Sequence, residues 1–396
     1  MKIVLLNWSK GENNPFAYFN QELSKKLIKF GADVSIVELD SSLVLNLYEI
    51  YNKKKIDLVI THQGFGTDYK INQTDELIWD RLQLKIISLG SDHPCHNPNL
   101  NNADSKYVVH TYCISAYADY ANKYLKKINK SCFVGAPNIF DVRDVVDLPK
   151  AGDYFVFPKN IEDIASTFKR WRASYKPEMS SLLESISEDV MYGYKSRMPF
   201  DHHDLIESSL GVRTSYISRF EINPGVYERI KHAIHSEVDK IYRNYASELV
   251  ILEMKDLPLK INGRGWEQFG KNKSKFHEFN EFGEVKHGEY QFQSLYGIID
   301  VVPFCFGMHD RSSRAMAYKS GFLCNANLDF KDSDGGKYDD IFFTGINGSL
   351  RSLADRVVSN PRRHIMRCNE IGEICKKIEP FDYFFNFLVK EAGCIN

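Results

Sequence analysis

Short, mainly apolar runs alternate with amphipathic segments along the first third of the chain. Between the runs, apolar residues recur at helical spacing, first over residues 16–30 and later over residues 117–128. Short apolar runs of this kind are typical of strands buried in a parallel sheet. Strands that alternate with helices at this interval predict a doubly wound sheet, and we assign it to a first domain over residues 1–140. The predicted strands are residues 2–7, 33–39, 57–61, 85–89, 107–114 and 131–134.

The pattern changes after residue 141. From there to residue 246 long helical periodicities dominate, and strand candidates are few. We therefore predict a helical insertion or interdomain segment over residues 141–246. Its cluster FDHHD at residues 200–204 is interpreted as the first turn of a helix, because no third metal ligand is evident in the sequence.

Strand and helix patterns alternate again in the last third of the chain, which predicts a second α/β domain over residues 247–378. Residues 380–391 are apolar at helical spacing and indicate a terminal helix that is too short to span a membrane. The strands predicted in this part are residues 248–252, 258–261, 298–302 and 341–343, and the helices are residues 290–296, 312–320 and 349–359.

The composition narrows the class of protein. A chain of 396 residues is long enough for two domains, each with its own core. The 51 basic and 52 acidic residues give a net charge of −1, so we expect no nucleic-acid partner and only a local anion site. The eight cysteines form no CxxC pair, and the amino terminus has too short an apolar core for a secretory signal. We expect a reduced, cytoplasmic protein, with peripheral membrane contact as a minority alternative.

Residues 294–324 combine a predicted strand–loop–helix unit with several charged and polar side chains. A predicted strand, residues 298–302, leads into a loop that ends in His309-Asp310-Arg311, and Ser312 or Ser313 follows as a candidate helix cap. The carboxyl end of a strand meets the amino end of a helix here, which is where open α/β sheets bind ligands and where helix N–H groups favour anions.

This stretch resembles the second half of the two-Rossmann-domain (GT-B) glycosyltransferases, in particular the group 1-like bacterial enzymes with H-D-R before a small-residue helix. The resemblance implies an α/β fold of two Rossmann-like domains facing a cleft, here with the helical insertion between them. It further implies that His309, Asp310, Arg311 and Ser312 bind the diphosphate and sugar of the donor. Many relatives place a Glu three residues after the Arg to hold the ribose, whereas this chain has Arg314. Counterparts of the terminal helix, within residues 379–396, pack back across the domain junction.

Two further segments match the donor half of these enzymes. A Gly-x-Gly-Trp turn follows a strand at the position of Asn262-Gly263-Arg264-Gly265, and its glycines let the backbone turn sharply while Arg264 reaches a phosphate. The nucleotide base is commonly received by the loop before the next helix. Val285, Lys286 and His287 are the candidates for that contact.

Two polar loops follow strand ends in the first domain. The loop THQGFG at residues 61–66 allows close backbone approach to a ligand but lacks a dinucleotide-binding fingerprint. In the second loop Asp92 and His93 directly follow a strand, and a similar D-H-P faces the acceptor side in several glycosyltransferases of this kind. Asp92 or His93 is therefore the candidate catalytic base if transfer inverts the anomeric centre. The resemblance favours retention, which requires no such base.

No metal is predicted. His93 and His96 are three residues apart, but they lack other ligands of suitable spacing, and the chain has no DxD motif. We therefore expect a metal-independent mechanism without a cofactor, in which the nucleotide sugar is a substrate.

The sequence thus predicts a glycosyltransferase that moves a sugar from a nucleotide sugar to a glycan, a lipid-linked glycan or a protein. One alternative is a nucleotide-sugar epimerase of the same fold, which would need an acid/base pair beside the sugar ring and no acceptor surface. The other is a noncatalytic nucleotide-sugar-binding protein whose helical segment binds a partner.

Overall fold

A computed structural model describes most of the chain, and its contacts divide it into two compact units. The first unit comprises Met1–Asp141 with Cys375–Asn396, and the second unit comprises Val142–Ile374. The described residues are 1–7, 15–38, 47, 56–71, 75–96, 103, 105–125, 131–134, 150, 152–196, 202–214, 224–267, 276–280, 292–301, 310–325, 340–343, 348–378 and 381–393.

The first unit is built on one six-stranded sheet. Its elements are β1 (Lys2–Asn7), α1 (Pro15–Lys29), β2 (Asp33–Glu38), β3 (Leu58–His62), α2 (Ile78–Leu82), β4 (Ile86–Gly90), a 3-10 turn (Pro94–His96), β5 (Val108–Tyr112), α3 (Ser115–Tyr124) and β6 (Cys132–Phe133). The strand order is β2-β1-β3-β4-β5-β6, with every neighbouring pair parallel. Every residue of β3 and β4 is buried, which explains their apolar character.

A helix from the far end of the chain completes the core of the first unit. Phe381, Phe384 and Leu388 pack in one cluster with Leu23 and Leu27 of α1. At the other end of the same helix, Lys85 and Glu391 form an ion pair with Nζ and Oε2 2.8 Å apart.

The second unit is built on another six-stranded parallel sheet, of order β12-β11-β10-β7-β8-β9. These strands are β7 (Phe155–Pro158), β8 (Leu259–Asn262), β9 (His277–Asn280), β10 (Gly297–Asp300), β11 (Phe322–Asn325) and β12 (Phe342–Phe343). The helices are α4 (Ile164–Ser174), α5 (Pro177–Ser196), α6 (His202–Thr214), α7 (Pro224–Glu253), α8 (Asp310–Ala317), α9 (Ser349–Ser359) and α10 (Pro361–Ile378), and the terminal helix of the first unit is α11 (Phe381–Gly393). Two parallel sheets flanked by helices confirm the predicted α/β class.

The predicted helical segment over residues 141–246 is not a separate layer. Strand β7 lies in the middle of the second sheet, between β10 and β8. Helices α4 to α7 share one apolar core with that sheet, in which Trp171, Ile206 and Val238 cluster with Phe157. The sequence pattern missed β7 because four apolar residues beside long helical periodicities are too few to indicate a strand.

Other boundaries also differ from the predictions. The strand predicted at residues 248–252 is the last part of the 30-residue helix α7. Its short apolar run cannot be told from a buried helix face by periodicity alone. The helix predicted at residues 290–296 is not an α-helix over its described part, residues 292–296, and β9 and α10 were not predicted.

Within the described ranges, no helix combines the length and apolar character needed to cross a bilayer. The described cysteines Cys95, Cys113, Cys132, Cys324 and Cys368 are free thiols.

Candidate functional site

Basic residues follow the carboxyl ends of three neighbouring strands in the second sheet. Strands β10, β7 and β8 lie side by side and run parallel, so their carboxyl ends meet at the same edge. Lys159 directly follows β7, Arg264 lies two residues after β8, and Arg311 is the second residue of the helix that comes after β10. This edge is the usual ligand-binding position of an open parallel sheet.

The turn at Arg264 is fixed by two close backbone approaches. A Cβ atom on Gly263 would lie 2.0 Å from the carbonyl oxygen of Lys159. A Cβ atom on Gly265, whose φ is +87°, would lie 1.9 Å from the carbonyl oxygen of Ile161. Only glycine fits at either position. The predicted Gly-rich turn is therefore present, and the Arg264 backbone packs against the loop after β7.

Hydrogen bonds hold the same two loops together. The Arg264 N–H donates to Asn160 Oδ1 at 2.9 Å, and the Ile161 N–H donates to the Arg264 carbonyl oxygen at 3.0 Å. The Trp266 indole N–H donates to the Lys159 carbonyl oxygen at 2.6 Å. Residue 264 itself is exposed, so its guanidinium is available at the edge while its backbone is fixed.

The start of helix α8 is anchored to the end of β10 by one buried carboxylate. Asp300 is fully buried. Ser312 Oγ donates to Asp300 Oδ2 at 3.0 Å, and Arg311 Nη1 donates to Asp300 Oδ1 at 3.3 Å. The Arg311 side chain remains 27 % exposed. Arg311 thus contacts a structural carboxylate and solvent at once, beside the N–H groups of a helix terminus.

Lys159 is the basic residue that the sequence did not single out. Its pKa is lowered to about 7, mainly by burial and also by the charges of Arg311 and Arg243, while the charges of Asp300 and Asp239 oppose the shift. The contribution of Arg311 to this shift shows that Lys159 lies close enough to Arg311 for their charges to interact. The signal that could have found Lys159 is its position directly after a strand, which was missed along with β7.

Arg314 has a structural explanation. It is 4 % exposed, and its guanidinium lies 5.1 Å from the centre of the Phe292 ring. A cation over an aromatic face in the core is a packing contact. Arg314 therefore packs helix α8 against Phe292.

The structure separates the two candidates at the edge of the first sheet. Asp92 is exposed, and it exchanges two hydrogen bonds with Gln63, from Gln63 Nε2 to Asp92 Oδ2 at 3.1 Å and from the Asp92 N–H to Gln63 Oε1 at 3.4 Å. Gln63 has a left-handed φ of 53°. A non-glycine residue in this conformation is strained, and such strain is concentrated at functional positions. The arrangement fixes the Asp92 carboxylate at the surface.

His93, in contrast, is 2 % exposed. Its Nδ1 accepts a hydrogen bond from the Cys95 N–H at 3.2 Å, and its ring packs edge-on against Tyr117 and Tyr120. These contacts shape the turn after β4 and favour Asp92 over His93 as the candidate base.

The remaining predicted donor residues divide into two groups. Asn262 is buried at the end of β8, and Asp310 is the first residue of helix α8. Val285, Lys286, His287 and His309 lie outside the described residues.

Comparisons with known proteins give a fold and no sequence family. No family model and no curated protein sequence matches the chain. A crystal structure of T4 phage BGT in complex with its UDP-glucose substrate matches with a TM-score of 0.51 and 10 % identity, over 97 % of this chain and 98 % of that one. A glycosyltransferase from Rickettsia africae ESF-5 aligns over 96 % of this chain and 98 % of that chain at 13 % identity, but its TM-score is 0.31.

The match to the phage protein agrees with the two parallel sheets described above. The chain has the two-Rossmann-domain fold of the GT-B class. At 10 % identity the likeness concerns the fold alone.

Proposed function

We propose that the protein is a glycosyltransferase that transfers a sugar from a nucleotide-sugar donor, bound by the second unit, to an acceptor. The observation that carries the proposal is the convergence of Lys159, Arg264 and Arg311 at the carboxyl edge of three adjacent parallel strands. The phage protein of the same fold has UDP-glucose as its substrate, which supports a nucleotide sugar as the ligand here.

The chemistry requires positive charge at this edge. Breaking the bond between sugar and diphosphate leaves negative charge on the diphosphate, and groups that bind this charge more strongly in the transition state accelerate the step. Arg311 and Arg264 supply fixed charges, and the N–H groups at the start of helix α8 supply a fixed dipole. These groups would act in place of a metal ion at the diphosphate, so we propose metal-independent transfer.

Asp300 positions Arg311 for this role. Its buried carboxylate accepts from both Arg311 and Ser312, which restricts the first turn of the helix. We propose that Arg311 keeps this contact while another N–H of its guanidinium binds the diphosphate, since an arginine has five donors in a planar fork.

The acceptor is proposed to be a glycan, a lipid-linked glycan or a protein. If the transfer inverts the anomeric centre, Asp92 is the residue we propose as the base that takes the acceptor proton. Its fixed, exposed carboxylate supports that role, and no base is needed if the transfer retains the configuration.

The proposal is tested by calorimetry with a panel of nucleoside diphosphates and their nucleosides, in the presence of a chelator. We expect one diphosphate to bind, and Arg264→Ala to weaken it by about 10-fold or more, as for a charged hydrogen bond of roughly 1.5–3 kcal/mol. Arg362→Ala, an exposed arginine on helix α10, is the matched control. Equal affinity in all three proteins would refute the donor site.

Turnover separates the proposal from its alternatives. Incubation with nucleotide sugars alone should leave the sugar's configuration unchanged, whereas an epimerase would release or interconvert the epimer without any acceptor. Tight diphosphate binding with no transfer to any glycan, lipid-linked or protein acceptor would favour a noncatalytic binding protein.

A further inference from the structure

A buried cluster of histidines and one carboxylate lies between two helices of the second unit. His202 and His203 open helix α6, and Asp239 lies in the middle of helix α7. The three residues are 2 %, 7 % and 0 % exposed. His202 Nε2 lies 2.6 Å from Asp239 Oδ1, and His203 Nε2 lies 3.8 Å from the same oxygen. The third group that the sequence did not reveal is therefore Asp239, which is 36 positions beyond His203 in the chain.

The other atoms of these side chains are oriented by a second set of contacts. Arg243 Nε donates to Asp239 Oδ2 at 2.6 Å, so Oδ1 is left facing the two imidazoles. His203 Nδ1 lies 2.9 Å from His235 Nδ1, and His235 Nε2 lies 2.5 Å from Glu207 Oε1. Outer contacts of this kind, to the second ring nitrogen of a histidine and the second oxygen of a carboxylate, are typical of metal sites.

The contacts define which nitrogen of each ring carries hydrogen. A carboxylate only accepts, so His235 Nε2–H donates to Glu207, and the Nδ1 of the neutral His235 ring is an acceptor. His203 must then donate its Nδ1–H to His235. In a neutral His203 ring the lone pair is consequently on Nε2, the atom that faces Asp239 Oδ1. Two electron-rich atoms that face each other in a buried site favour a cation between them.

We propose that His202 Nε2, His203 Nε2 and Asp239 Oδ1 bind a divalent transition-metal ion of the zinc class. Two imidazoles and one carboxylate suit zinc, which binds nitrogen and oxygen at about 2.0–2.2 Å. Two ligands of a tetrahedral ion at these bond lengths are about 3.3 Å apart. The observed separations of 2.6 Å and 3.8 Å bracket this value, so changes of roughly 0.5–0.7 Å in these separations would admit the ion.

The ion would have a structural role. It would join the first turn of helix α6 to the middle of helix α7, both of which pack in the core of the second unit. In the metal-free protein the proton on His202 Nε2 makes the same link through its hydrogen bond to Asp239. The ion takes no part in the proposed sugar transfer, although Asp239 also contributes to the charge environment of Lys159.

The first test uses the full-length protein after treatment with a chelator and its removal. Titration with Zn²⁺ should give one equivalent bound and a higher melting temperature, since an ion that binds the folded state alone stabilises it. X-ray absorption of the zinc-bound protein should show nitrogen and oxygen ligands with imidazole scattering. Failure to bind one equivalent, or sulfur in the first coordination shell, would overturn the proposal.

Variants then assign the site. His202→Gln and Asp239→Asn each remove one ligand and should weaken Zn²⁺ binding by at least ~10-fold, and His235→Gln should weaken it by about 10- to 100-fold through His203. His277→Gln is the control, because this histidine lies on β9, where its Nε2 contacts the Met254 carbonyl oxygen. Unchanged zinc affinity in His202→Gln and Asp239→Asn, or an equal loss in His277→Gln, would contradict the assignment. If the ligand variants do not fold, the absorption measurement on the unaltered protein still tests the ligand types, and His235→Gln, which removes no ligand, still tests the place of the site.

Discussion

At the scale of single residues, Arg311 has two possible roles, because it contacts both the buried carboxylate of Asp300 and solvent. It can bind the diphosphate, or it can serve only to pair with Asp300. We expect Arg311→Ala to weaken nucleoside diphosphate binding by about 10- to 150-fold, the equivalent of a charged hydrogen bond. Nucleoside without phosphate should lose little, and Arg311→Lys should restore only part, since lysine lacks the planar fork. Calorimetry measures all three. If nucleoside and nucleotide weaken alike while the unliganded protein melts earlier, Arg311 serves only to pair with Asp300.

Lys159 predicts a dependence on pH. Its pKa of about 7 is lowered from the usual lysine value, so the folded protein disfavours the charged form and gains stability as pH rises from about 7 toward the unfolded value. A bound diphosphate favours the charged form instead. Between pH 7.5 and 9, where the diphosphate is fully ionised, binding should take up a proton and weaken as pH rises. Calorimetry in buffers of different ionisation enthalpy measures the uptake, which Lys159→Met should abolish.

Lys159→Arg is the matched control, because arginine keeps its proton over this whole range. It should retain the affinity while losing the proton uptake. Uptake that persists in both variants would assign the proton to another group.

Only some residues of the two proposed sites could be predicted from the sequence. Arg264 and Arg311 could be predicted because glycines and a small-residue helix mark their loops in the sequence. Lys159 and Asp239 could not, since their roles depend on which strand and which helix lie beside them. Asp92 and His93 were predicted together from the D-H-P loop after a strand, but a turn that buries one of two adjacent side chains leaves no mark in the sequence.

At the scale of elements, the turn after β8 depends on the close approach of Gly265 to Ile161. Gly265→Ala places a Cβ atom 1.9 Å from a backbone oxygen and also forces alanine into a φ of +87°. Gly348→Ala offers a matched control, because Gly348 has a φ of +93° with open space around it. Each left-handed alanine costs about 1–2 kcal/mol. Because of the clash, we expect Gly265→Ala to lower the thermal stability more than Gly348→Ala does. Only Gly265→Ala should weaken diphosphate binding. Equal losses of stability and of affinity in the two variants would show that the close approach has no role in the site.

The errors in the predicted elements fall on short apolar runs of the second unit. Helix α9 and strand β1 fall where the pattern placed them, whereas β7 was missed and the end of α7 was predicted as a strand. Four or five apolar residues satisfy both a buried strand and a buried helix face, and only the neighbouring strands of the second sheet decide between them. The prediction of two α/β domains was correct despite these errors, because it depends on the alternation of strands and helices along the whole chain.

At the scale of the whole molecule, the last helix of the chain belongs to the core of the first unit, so the two ends of the chain should be stabilised together. Leu388 is fully buried beside Leu23 and Leu27, whereas the next residue, Val389, is 47 % exposed. Leu388→Ala should cost about 2–5 kcal/mol and Val389→Ala much less. Hydrogen exchange should then show weaker protection of β1 and α1 in Leu388→Ala, with β7 and β8 of the second unit unchanged.

A fragment of residues 142–396 gives the converse measurement. Helix α11 should lose its protection from hydrogen exchange in this fragment, because its apolar partners in the first unit are absent. Full protection of α11 in that fragment would mean that the helix is stabilised by the second unit, and the division of the chain would have to be redrawn.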